Sequence, residues 1–165
     1  MPQMDFSAMP DSARVWVFGA AAPMDGAARD AMLTAVDAHL TQWAAHGMPL
    51  VCAREWRDER FLAVAVDEAA TGASGCSIDG MFRVLQRCES SLSASLTDGT
   101  VVYWRDAHGA VQSGERSAFR AAAATGAVTL ATPVFDLTVT DVGAWREQFE
   151  RAAAVSWHAR LVGNG

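Results

Sequence analysis

The stretch E-A-A-T-G-A-S-G-C-S-I-D-G, Glu68 to Gly80, holds one thiol inside a run of very small residues. Gly72, Ala73, Ser74, Gly75, Cys76 and Ser77 offer little side chain and many backbone N–H groups, just ahead of a helical pattern. Unpaired amides and the positive end of a helix dipole favour negative charge. One chemistry for this place is capture of a small anionic ligand, a carboxylate or phosphate, by Gly72, Ser74, Gly75 and Ser77, with Asp79 at the helix start. The other is a reactive thiolate at Cys76, because a thiol at a helix N-terminus has its pKa lowered. Asp67, which ends the preceding apolar strand, is a candidate general base. His158, in S-W-H-A-R from Ser156 to Arg160, is a second candidate base that would have to approach Cys76 through the fold.

These assignments compete. A carboxylate near Cys76 raises the thiol pKa instead of lowering it. Small residues are also what a tight strand-to-helix crossing needs, and cysteine often serves as a small buried hydrophobe. His158 has its own plain reading, as a satisfied histidine beside a packed Trp157. Two function classes therefore stand side by side. One is an anion or small-molecule site in loop 67–79, with Cys76 reactive. The other is a non-catalytic binding or assembly module that forms a homodimer through its sheet, with a purely structural loop.

Composition removes other classes. All 13 basic residues are arginine, so Schiff-base lysine chemistry and a G-x-x-x-x-G-K-[ST] phosphate loop are both impossible. A net charge of −6 gives no basic footprint for nucleic acid or an anionic membrane. His39 and His46 lie too far apart on one expected helix to share a metal, and His108 sits in a turn. H-E-x-x-H, G-x-S-x-G and G-x-G-x-x-G do not occur. No metal site and no cofactor are expected. Cys52, Cys76 and Cys88 have no C-x-x-C spacing, which argues against a disulfide framework or a zinc ribbon and for a reducing compartment. The first residues lack a basic segment followed by an apolar one, so no signal peptide is expected. No apolar run reaches the ~20 residues of a membrane span. The expectation is a cytoplasmic protein.

The elements that must position these residues follow from periodicity. Residues 1–13 read as a flexible leader and 14–165 as one α+β domain. Arg14 to Ala20 is a strand. Asp25 caps a helix carrying Met32, Val36, Leu40 and Trp43, which Gly47 and Pro49 stop. Leu50 to Trp56 and Arg60 to Val66 form two strands joined at Asp58-Glu59. Ser77 caps a second helix whose face is Ile78, Met81, Phe82, Leu85 and Leu92. Val101 to Arg105 and Gly109 to Ser113 form a hairpin. Arg116 to Ala124 is a short helix and 128–137 is extended. Thr140 or Asp141 caps a last helix running through Trp145, Phe149 and Ala152.

The order β-α-β-β-α-β predicts a ferredoxin-like (split βαβ) antiparallel sheet with both helices on one face and a C-terminal helical extension. Its expected central strands are apolar at nearly every position, so both of their faces must be buried. The face without helices needs cover from the C-terminal third or from a partner subunit.

The chain resembles a family of uncharacterised bacterial proteins. The resemblance rests on Val15-Trp16, the W-A-A-H-G of Trp43 to Gly47, V-D-E-x-x-x-G-A-S-G-C-S-I-D from Val66 to Asp79, and S-W-H-x-R-L from Ser156 to Leu161. It spans most of the chain, and A-S-G-C-S-I-D is its most specific motif. Members are often labelled ABC transporter ATPase, a label that the absence of any lysine here does not support. The resemblance implies a motif and no particular activity.

Overall fold

The computed structural model describes residues 4–71 and 78–163. The Gly72, Ser74, Gly75, Cys76 and Ser77 assignments therefore lie outside the described residues. The chain is a mixed α+β protein with antiparallel sheets.

A three-stranded sheet has the order β1-β5-β4, from β1 (Arg14–Gly19), β4 (Cys52–Arg57) and β5 (Phe61–Val66). Between β1 and β4 lie helix α1 (Gly26–Gln42) and a two-residue hairpin, β2 (Ala44–Ala45) with β3 (Met48–Pro49). His46 and Gly47 turn that hairpin, both at positive φ, 50° and 78°, as a two-residue hairpin loop requires. Asp58 and Glu59, at 56° and 55°, turn β4 into β5, and the Arg60 N–H closes the turn on Arg57 O at 3.1 Å. After β5 come the single turn α2 (Glu68–Thr71) and helix α3 (Asp79–Leu92).

All six residues of β5 have no exposed surface. Alternation sends Leu62, Val64 and Val66 to one core, with Met32, Val36 and Leu40 of α1 and Met81 and Leu85 of α3. Phe61, Ala63 and Ala65 enter a second core with Tyr103, Phe135, Trp145 and Phe149. The second face of the sheet is thus covered by the chain's own C-terminal third. The apolar face that suggested dimerisation is not left for a partner.

That cover is itself a sheet. Strands β6 (Val102–Arg105), β7 (Val111–Gly114), β8 (Pro133–Phe135) and β9 (Glu150–Ala152) pair in the order β7-β6-β8-β9. Helix α4 (Arg116–Ala124) follows β7, α5 (Val142–Gln148) precedes β9, and α6 (Ala159–Val162) ends the described chain. Tyr103 and Phe135 face the second core, while Val102 and Val134 face a third one with Phe119 and Leu161. Four layers result: α1 with α3, the first sheet, the second sheet, and α4 with α6. Arg57, Arg105, Asp58 and Glu150 clasp the seam between the sheets. There Arg105 Nε lies 2.6 Å from Glu150 Oε1, and Arg57 Nε lies 3.0 Å from Asp58 Oδ2.

Three expectations change. Val102–Arg105 pairs with β7 and β8, not with β1, so β1 is an edge strand. Its Tyr103 and Trp104 need a core on each face, and the second sheet lies between two. Residues 4–13 of the expected leader pack instead of trailing. Phe6 and Met9 are buried, and Arg146 Nη2 donates to the carbonyls of Phe6, Ser7 and Met9 at 3.3, 3.0 and 2.9 Å. Finally, the helix capped by Asp141, whose Oδ1 accepts from Ala144 N–H at 2.7 Å, stops at Gln148. Glu150–Ala152 then pairs with β8.

Candidate functional site

As an edge strand, β1 exposes every second peptide group on its outer side. The Val15 N–H donates to Thr140 O at 3.0 Å, and Arg14 bridges Asp141. By alternation the N–H groups of Val17 and Gly19 point to the same outer side. No further bridge continues this pairing among the described residues. Val17 and Gly19 on one side, and Leu137 and Thr138 on the other, instead line a cavity of about 390 Å³. That volume lies at the lower end of small-molecule pockets.

Aromatic residues from separate layers form its walls. Phe18 comes from β1, Phe82 from α3, Phe135 from β8, and Trp157 from the turn before α6. Phe18 and Phe82 meet at a tilt, with ring centroids 6.4 Å apart. Phe82 is 36% exposed, unlike its helix neighbours Met81 and Leu85, which are fully buried. A large exposed apolar ring on an otherwise well-sorted helix marks the cavity mouth. Gly19 is required at its position because a Cβ there would stand 2.5 Å from the Tyr103 hydroxyl oxygen.

The polar groups are few. His158 has no exposed surface and lines the cavity. Its Nδ1 is 2.7 Å from Ser156 Oγ, and its ring stacks on Trp157 with centroids 3.8 Å apart. Its Nε2 is buried without a hydrogen-bond partner among the described residues, and so is Nε1 of Trp157. Burial, opposed by Asp136 and aided by Arg151, brings the imidazole pKa down to about 4. His158 is therefore neutral at pH 7, and the direction of the Ser156 hydrogen bond sets its tautomer. At the mouth, Arg116 is exposed, with its guanidinium 5.5 Å from the Trp157 ring centre. None of the ion pairs among the described residues includes it. Asp98 is also exposed, and its Oδ1 accepts from the amide and hydroxyl of Thr100 at 2.9 and 2.6 Å. These bonds hold its carboxyl below the usual range.

The residues singled out from the sequence are distributed differently from the expectation. Asp67 Oδ1 accepts from the N–H groups of Ala69 and Ala70 at 3.1 and 3.2 Å, so it serves as the cap of α2. Asp67 follows Val66, which pairs with Arg14, whereas His158 shares the cavity with Val17–Gly19 at the other end of β1. The fold does not bring these two together. Asp79 opens α3, one turn before Phe82. Cys52 and Cys88 are buried, and the Cys52 thiol donates to Leu40 O at 3.5 Å; burial pushes the Cys52 thiol up to about 11 and raises Cys88 as well. Sequence reasoning missed Arg116, Phe82 and the edge of β1. Phe82 carried a faint signal, since it stands about 100° round the helix from Met81, at the margin of the apolar stripe. Among the described residues no cluster of three or more His, Cys, Asp or Glu is arranged to hold a metal ion, and no helix is long and apolar enough to cross a membrane. No family model, curated protein or solved structure matches this chain.

Proposed function

We propose that the protein is a binding protein for a small organic molecule, held in the cavity between the edge of β1 and residues 137–138. The observation that carries this reading is His158 Nε2, buried in a residue of the cavity wall with no partner among the described residues. Buried polar atoms are nearly always satisfied. Leaving one unpaired costs about 1–3 kcal/mol, a cost that a ligand group would relieve once a small shift of the cavity wall opens Nε2 to it. The apolar walls supply burial and the few polar atoms supply orientation, the usual division in such pockets. Cys76 is not needed for this reading, which is one of binding and not of catalysis. The order β1-β5-β4 with α1 and α3 on one face supports reading the first part of the chain as a ferredoxin-like plait whose fourth strand has been displaced.

The test is a fragment screen followed by ¹H–¹⁵N NMR. Trp157 Nε1–H, assigned through Trp157→Phe, is the reporter. Hits should shift that indole signal together with the amides of Val17, Gly19 and Leu137. If the hits cluster elsewhere and leave the Trp157 indole unmoved, the reading fails.

A further inference from the structure

Two unpaired side chains of the cavity can only donate. Trp157 Nε1 can only donate, and it is buried without an acceptor. Arg116 can only donate, and no carboxylate among the described residues pairs with it. The one carboxylate in the lining, Asp98, already accepts two hydrogen bonds on one oxygen. A ligand that completes this set brings acceptors and negative charge, and a carboxylate suits the planar fork of a guanidinium.

The edge of β1 adds a different requirement. Past Val15, the outward N–H groups of Val17 and Gly19 and the outward C=O of Val17 have no backbone partner among the described residues. They lie along the same cavity. Such an edge takes an extended chain by ladder hydrogen bonds while side-chain pockets beside it set specificity. Phe18, Phe82, Phe135 and Trp157 form an apolar pocket on this line.

We infer that the ligand is the carboxyl end of an extended peptide, or an N-acyl amino acid of the same chemistry. It adds as a short strand beside Val17–Gly19, with its last side chain among the aromatic rings and its carboxylate on Arg116. The inference rests on the cavity being a ligand site, and it is narrower than that reading. Backbone pairing makes the affinity tolerant of sequence, the apolar pocket selects the terminal side chain, and the free carboxylate distinguishes a chain end from a chain interior.

The experiment uses four probes on the full chain, followed by fluorescence anisotropy or NMR: an N-labelled tetrapeptide ending in phenylalanine, its C-terminal amide, the same acid N-methylated at the terminal amide, and 3-phenylpropanoate. The free acid should bind best. The amide should bind about tenfold more weakly, the loss expected for one hydrogen bond to a charged group. The N-methylated acid should also lose affinity, since it cannot donate to the strand edge. In Arg116→Gln protein, an exposed substitution at the start of α4, acid and amide should bind equally. Equal binding of acid and amide to the native protein overturns the role of Arg116. Binding of 3-phenylpropanoate as tight as that of the peptide, or full retention of affinity on N-methylation, overturns strand addition. In either case a shift of the Trp157 indole by the probes leaves the cavity standing as a ligand site. Failure of every probe and of the fragment screen to move that signal removes both readings.

Discussion

His158 gives the sharpest quantitative test, because its burial links the cavity wall to stability. The imidazole carries no exposed surface and titrates near 4 in the folded protein, against about 6.5 in an unfolded chain. A folded pKa below the unfolded one means that the unfolded chain takes up the proton first as pH falls. The neutral, buried form therefore contributes its full stability above about pH 6.5 and loses it progressively toward pH 4. At 1.36 kcal/mol per pKa unit, the loss is about 1 kcal/mol by pH 5.5 and about 2–3 kcal/mol by pH 4.5. Other groups titrate nearby in pH: the His39 pKa is also lowered, by burial and then by Arg87, and Asp136 stays ionised longer than usual beside Thr138 and Arg151. Their contributions cancel when the protein is compared with His158→Phe, which keeps a ring against Trp157 and cannot titrate. Urea unfolding of both proteins at intervals from pH 7.5 to 4.5 gives the difference directly. The native protein should lose stability relative to the variant by the amounts above. A difference constant within about 1 kcal/mol across the range would mean that the imidazole is hydrated or paired, and would refute the account of an orphaned Nε2.

Three further perturbations probe the frame that holds the cavity. Arg60 is 7% exposed and donates to the carbonyls of Ala21 and Val111 at 2.7 and 2.9 Å and to Ser113 Oγ at 3.1 Å, with no carboxylate partner among the described residues. Arg60→Met should destabilise by about 2–4 kcal/mol, less than the sum of the lost bonds because it also removes a desolvated cation; a urea midpoint shift worth under about 1 kcal/mol would deny the arginine its clamping role. Tyr103 has a buried hydroxyl without a partner among the described residues, so Tyr103→Phe should be neutral or stabilising by up to about 1 kcal/mol in thermal unfolding, against the usual direction for buried tyrosine. Glu59 holds φ at 55° without the freedom of glycine; Glu59→Gly should stabilise by about 1 kcal/mol once the strain relieved is set against the added backbone entropy, and a lowered melting temperature would count against the turn geometry.

Local patterns made much of the fold legible. The hairpin turned at Asp58-Glu59, the Asp141 cap and the turn at Gly109, whose φ is 81°, each depend on residues close in sequence. F-L-A-V-A-V, apolar on both sides, required two cores, and two are present. What local pattern did not carry was pairing at a distance. V-Y-W-R alternates in a way that suits either an edge beside β1 or a second sheet, because strand propensity reports a half-buried surface and not a partner. The docking of the first residues depends on Arg146, more than 130 residues away, reaching the carbonyls of Phe6, Ser7 and Met9. His158 was visible as a concentration of polar and aromatic residues near the C-terminus. That it lies against the edge of β1, and Asp67 at the other end of that strand, follows from sheet order alone.

The cavity and the departure from a four-stranded plait have one physical origin. In the plait a fourth strand would lie along β1, and the N–H groups of Val17 and Gly19 would be spent on it. Here Val102–Arg105 runs between the second and third cores, where Tyr103 meets Phe61 with ring centroids 5.1 Å apart and Trp104 meets Phe119 at 5.3 Å. Each aromatic ring pair contributes about 0.5–1.5 kcal/mol beyond its burial, which favours the strand's place in the second sheet. The cost falls on β1, whose edge is closed by residues 140–141 at one end and left open at the other. An open edge is a hazard when it is long and flat. This one is short, recessed between two layers and flanked by Arg116 and Asp98, a setting that suits the proposed single short chain better than a second sheet. The arrangement that stabilises the second and third cores is therefore the same one that leaves a strand-shaped vacancy beside Val17 and Gly19.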